Sequence, residues 1–78
     1  MPQWSADKIL DAKGLSCPMP ILKTKKSMND MQAGQILELQ ATDPGTKNDL
    51  PAFLGRGGHQ LLGEEQHQGY VSYFVQKG

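Results

Sequence analysis

At 78 residues, with eight basic side chains against eight acidic ones, the chain is expected to be one domain spanning 1–78, near the lower size limit for a self-sufficient core. The charge balance excludes a global field that would draw it to nucleic acid or an anionic membrane, and a single cysteine excludes an internal disulfide. Two scattered histidines, His59 and His67, do not complete a structural zinc set with that thiol, so no metal or cofactor is expected.

The opening "MPQWSADK" has no apolar core like that of a signal peptide, and no later run approaches the ~20 residues of a membrane span. A soluble cytoplasmic protein is expected, where a lone thiol stays reduced. Residues 8–12, "KILDA", predict a first strand, closed by Lys13-Gly14, where glycine can take the angles of a tight turn. From Pro18 to Met31 the polar residues Lys23, Lys26, Ser27 and Asp30 recur at helical spacing. Pro18, Ile21, Leu22, Met28 and Met31 gather on the other side, with Lys25 at the edge of that stripe.

Gly34 punctuates, and "QILELQAT" predicts a second strand with Leu37, Leu39 and Ala41 on one face. "DPG" at 43–45 is a turn signal, and Thr46 with Asp49 resembles a capping box ahead of Leu50, Phe53 and Leu54. The start of this second helix stays open between two caps. Pro51 would remove a hydrogen bond from a helix capped at Thr46 but suits the first turn of one capped at Asp49. Gly55, Gly57 and Gly58 are expected to end the helix, and "HQLLGEEQ" and "YVSYFVQK" form two strands joined around His67 to Gly69, the last with Val71, Tyr73 and Val75 on one face. The order is β-α-β-α-β-β: an α+β fold whose two helices cover one face of a four-stranded mixed sheet.

The chain's one cysteine stands in "GLSCPMPILKTKK", residues 14–26. A residue before proline is held extended, so Cys17 suits an N-cap, with Pro18 at the first helical position and Pro20 at the third. Prolines are tolerated there because the first four helical amides have no partner inside the helix. That leaves Met19 and Ile21 as donors able to point toward the sulfur. The partial positive charge of the helix end favours thiolate over thiol, and Lys23, Lys25 and Lys26 give the same helix a positive flank that could meet an acidic partner.

At "CPMP" the chain resembles the TusA/SirA family of small sulfur carriers, whose hallmark is Cys-Pro-x-Pro. The lead-in "LDAKGLSCP", the turn "ATDPGTKNDLPAF", the segment "GHQLLGEE" and the ending "YFVQKG" extend the likeness over roughly residues 9–78. The resemblance implies a two-layer α/β sandwich and a cysteine, here Cys17, that carries sulfur as a persulfide between proteins. Pro18 and Pro20 are then the motif prolines, with Asp11, Gly14 and Met19 shaping the approach. For Asp11, a plain role in fixing the turn is at least as well supported as a catalytic one.

A helix tip offers a persulfide the exposure and charge it needs without a deep pocket, and no arginine- or glycine-rich loop follows the cysteine to cradle an oxyanionic donor such as thiosulfate. Protein partners are therefore expected: a cysteine desulfurase or rhodanese-like donor and an acceptor with its own cysteine, with the carrier a monomer that contacts neither nucleic acid nor membrane. The family implies two destinations for the sulfur, tRNA thiolation or the oxidation of reduced sulfur compounds. Two other readings compete. "GRGG" at 55–58 fits the backbone clamp of an RNA-binding KH domain, although here it leads from a helix into a strand. A thiol redox switch is the other, with no second cysteine to resolve an oxidised Cys17. His59 and His67 are expected to be structural or surface positions, and Trp4 either covers a sheet edge or is mobile.

Overall fold

Alternation along the strands sets the architecture. In the computed structural model, which describes residues 5–16 and 18–78, strand β2 (Ile36–Ala41) buries every second side chain, Leu37, Leu39 and Ala41. It lies parallel to β1 (Lys8–Ala12) and antiparallel to β4 (Tyr70–Gln76), which pairs in turn with β3 (Gln60–His67), giving the order β1-β2-β4-β3. The register places Ala12 beside Ala41 and Tyr73 and Val75 beside Leu39 and Leu37, so one face of the mixed sheet is continuously apolar.

Helices α1 (Met19–Asn29) and α2 (Thr46–Gly57) supply Met28, Leu50 and Leu54 to the same core. Both helices therefore cover that face, in the predicted order β-α-β-α-β-β. On the opposite face the Glu38 carboxylate accepts hydrogen bonds from Gln40 Nε2 and Ser72 Oγ, both at 2.9 Å, and Phe74 is fully buried among its neighbours there. The predicted face of Val71, Tyr73 and Val75 does turn inward. Ser72 and Phe74 are buried as well, so β4, a central strand, buries side chains on both faces of the sheet.

The helices depart from expectation in detail. The buried stripe of α1 is Pro20, Thr24, Ser27 and Met28, continued by Met31 beyond its end, whereas Pro18 and Leu22 face solvent. Hydropathy hid this, because Thr24 and Ser27 are polar by type. Thr24 donates its hydroxyl to the Pro20 carbonyl at 2.8 Å, which satisfies it locally and lets the methyl-bearing side chain pack. The C-terminus of α1 is held from the sheet, where Lys77 Nζ donates to the Met28 carbonyl at 2.6 Å.

Helix α2 takes neither of the two caps considered. Gly45 is the N-cap, its carbonyl accepting from the amides of Asn48 and Asp49, and no side chain completes a capping box. Thr46 is the first helical residue, with its hydroxyl buried and unpartnered. Pro51 thus lies inside the helix, where it denies the Lys47 carbonyl its usual donor. Burial of Thr46, Leu50 and Leu54 at a spacing of four residues outweighs that loss and fixes the early start.

At the other end Gly55 and Gly57 remain helical. Gly58 alone takes the left-handed angle (φ 75°) of a helix stop, and the His59 amide closes back on the Leu54 carbonyl at 2.9 Å. The "GRGG" segment is therefore the last turn of a helix running into β3, with Gly58 as its stop.

Candidate functional site

The parallel pairing of β1 with β2 brings the connection after β1 and the connection after β2 to one end of the sheet. The first of these, residues 13–18, leads into α1 and carries the cysteine-proline segment. Cys17 itself, like Trp4, lies outside the described residues, so the site is built from what flanks it.

The lead-in is tied amide by amide. Asp11 accepts from the Lys13 amide at 3.0 Å, Thr42 Oγ1 from the Gly14 amide at 2.9 Å, and the Ala12 carbonyl from the Leu15 amide at 3.2 Å. Gly14 sits at φ 83°, where a Cβ strains the backbone, so the glycine there serves the turn. The Asp11 carboxylate likewise holds the turn, as the plainer of its two expected roles has it.

On the far side of the cysteine the cap is one residue later than expected. Pro18 (φ −96°) occupies the cap position, Met19 is the first helical residue and Pro20 the second. The Met19 amide already donates to the Ser16 carbonyl at 2.9 Å, so it is not a donor held in reserve for the sulfur. The expectation put the cap on Cys17, which lies outside the described residues, whereas the helix is capped at Pro18.

Of the predicted residues, Pro20 is buried, while Asp11, Gly14, Pro18, Met19, Lys23, Lys25 and Lys26 are exposed. Met19 and Leu22 expose 42% and 53% of their surface, unusual for large apolar side chains on a helix that also packs on a core. Leu22 and Lys25 line a groove of about 390 Å³ between the helices with Ile21, Phe53, Arg56 and Gly57. A second hollow of about 250 Å³, lined by Pro18, Ile21, Asp49, Ala52 and Arg56, continues it to the residue next to Cys17. Lys23 and Lys26 stand outside this groove.

Arg56 and Phe53 border the groove without having been singled out for it, because nothing in a linear sequence shows which side of α2 will face α1. Their spacing of three residues on one helix was the available signal. The neutral chain is also polarised. Its two helices hold five basic residues and one acidic, while its four strands hold one basic and four acidic. The histidines are occupied elsewhere: His59 Nδ1 accepts from the Gly78 amide at 3.0 Å, and His67 stacks on Tyr70 with its Nε2 3.1 Å from Glu65.

Fold and sequence together define a small two-layer α/β protein with a Cys-Pro-x-Pro segment in the connection from its first strand to its first helix. The family model described as sulfurtransferase TusA matches residues 8–77. YrkI of Bacillus subtilis is 55% identical over 73 residues, covering 94% of this chain and 97% of that one. The sulfur carrier protein TusA of Allochromatium vinosum is 42% identical over 71 residues, covering 91% and 93%. The crystal structure of a SirA-like protein from Desulfitobacterium hafniense shares the fold with a TM-score of 0.79 at 22% identity, over 91% of this chain and 97% of that one. The chain belongs to the TusA sulfurtransferase family.

Proposed function

We propose that this chain is a sulfur carrier, one domain throughout, that takes a sulfane sulfur onto Cys17 from a donor protein and passes it to an acceptor protein. The observation that carries this is family membership in a chain with one cysteine, so that any thiol chemistry has a single address. In the loading step the Cys17 thiolate attacks the outer sulfur of a donor cysteine persulfide. A new S–S bond forms on Cys17, the donor's S–S bond breaks, and its electron pair leaves on the donor thiolate. The transferred sulfur keeps its proton, and no net oxidation occurs. Handover repeats the exchange with an acceptor thiolate as the attacker.

Donors of the cysteine desulfurase or rhodanese-like kind and a cysteine-bearing relay acceptor fit this chemistry, in the cytoplasm, where thiols stay reduced. Among the described residues no helix is long and apolar enough to cross a membrane. The groove between α1 and α2 supplies the docking surface. It leads from Leu22 and Phe53 to Pro18, the residue that follows Cys17 in the sequence, and Lys25 and Arg56 on its rim suit a partner segment that is apolar at its centre and acidic at its edges.

Intact mass spectrometry without reductant tests the proposal, after incubation with a cysteine desulfurase and cysteine, or with a rhodanese and thiosulfate. The expected result is a gain of one sulfur that reductant reverses and Cys17→Ser abolishes. A folded wild-type chain that stays unmodified with every donor refutes it.

A further inference from the structure

We propose that Thr42, in the connection from β2 to α2, is a positioning residue for sulfur transfer at Cys17; this rests on the carrier reading above. Most of the ties around the cysteine are local. Asp11 holds the amide two residues on, Ala12 the amide three residues on, and Ser16 the amide of Met19. Bonds of that kind shape a turn without fixing its backbone to the sheet; Leu15 packs against the core and Pro20 is buried beyond the cysteine, but neither contact ties the backbone at Lys13 and Gly14.

Thr42 is different. Its Oγ1 accepts the Gly14 amide at 2.9 Å across a sequence separation of 28 residues, from a segment anchored at the end of the central strand β2. One further long-range tie joins the same corner: Lys13 Nζ sits 4.6 Å from the centroid of the Tyr70 ring, which is stacked on His67 in the β3–β4 hairpin. Two consecutive residues, Lys13 and Gly14, are thus fixed to two different parts of the sheet. Together with the packing of Leu15, these attachments fix the direction in which the turn leaves β1.

Persulfide exchange between proteins needs the attacking sulfur in line with the S–S bond it breaks, held by a docked partner of fixed orientation. A loop that wanders relative to the docking groove keeps its thiol chemistry but loses that alignment. Thr42 therefore acts on transfer between macromolecules and leaves the intrinsic reactivity of the thiol alone. A small electrophile approaches from any direction and does not report the loop's aim.

The test compares wild type, Thr42→Val, which keeps the shape and removes the acceptor, Thr42→Ser, which restores it, and Lys13→Met. Three measurements are made on each: the rate of sulfur gain by intact mass with a cysteine desulfurase and cysteine, the rate of Cys17 alkylation by iodoacetamide across pH, and the urea midpoint. Loss of one hydrogen bond of this kind is expected to slow loading by about fivefold in Thr42→Val. Thr42→Ser is expected within about twofold of wild type, Lys13→Met between the two, and alkylation within about twofold throughout.

Loading of Thr42→Val at the wild-type rate overturns the proposal. So does a Thr42→Ser chain as slow as Thr42→Val, or alkylation that slows in step with loading, which marks an effect on the thiol or on folding. If wild type alkylates normally yet never gains sulfur, the carrier reading fails and this proposal with it. Normal loading of wild type with no difference among the variants removes this proposal alone.

Discussion

Substituting Gly14 by alanine separates what the turn before Cys17 contributes to stability from what it contributes to transfer. Gly14 lies at φ 83°, and a Cβ built there meets nothing within 4 Å, so the perturbation is purely one of backbone conformation. Holding an L-residue in the left-handed region costs about 1–2 kcal/mol. In a domain of this size each kcal/mol is worth about 4–8 °C in Tm, so a fall of roughly 4–16 °C is expected. Gly34 provides a matched control. It sits at φ 91° with nothing within 4 Å of its Cβ, and its amide is bonded to the Lys77 carbonyl at 2.8 Å. It precedes β2, whereas Thr42 follows it, so the two turns stand about 20 Å apart along the strand.

Thermal unfolding should therefore show similar losses for Gly14→Ala and Gly34→Ala. Sulfur loading, followed by intact mass well below either midpoint, should slow by about fivefold or more in Gly14→Ala only. A stability change below about 0.3 kcal/mol in Gly14→Ala would refute the backbone argument. Equal slowing in both variants would refute the claim that the turn matters for where the sulfur is delivered.

Reversing both rim charges, Lys25→Glu with Arg56→Glu, should weaken handover to an acidic partner by about tenfold in kcat/KM at low salt. That deficit should shrink in about 1 M salt, where the Debye length is about 3 Å. Lys77→Met removes the cation from the C-terminal end of α1 and should lower the urea-derived stability by about 0.5–1 kcal/mol, with m unchanged. Tyr73 has its phenol raised above 10.0, chiefly by burial and then by the carboxylates of Glu64 and Asp43. Above pH 10 the unfolded chain gives up this proton before the folded one does. Stability is therefore complete below that pH and lost as pH rises toward the folded value, a slope that Tyr73→Phe should flatten in alkaline urea titrations.

The order of elements was legible because each carried its own signal: alternation in "QILELQAT", a turn at "DPG", glycines near the end of α2 and turn residues around His67 to Gly69. Local chemistry is complete within a few residues, so it can be read without the rest of the chain. The Cys-Pro-x-Pro segment was legible for the same reason, as was the turn at Gly14, whose glycine the left-handed angle requires.

What failed were details decided by contacts from elsewhere. Thr24 and Ser27 look like surface residues until the sheet closes over them, and Leu22 looks like core until α2 fails to reach it. The start of α2 was ambiguous locally, and burial of Thr46, Leu50 and Leu54 resolved it against the preference of Pro51. The groove of Leu22, Lys25, Phe53 and Arg56 joins residues 31 positions apart, and the Gly14–Thr42 bond spans 28. The sequence by itself determined the elements, their order and the one thiol that the proposed chemistry can use. Only the tertiary structure decided which groove reaches Pro18 and what ties Lys13 and Gly14 to the sheet, because both depend on pairings between elements that no local period encodes.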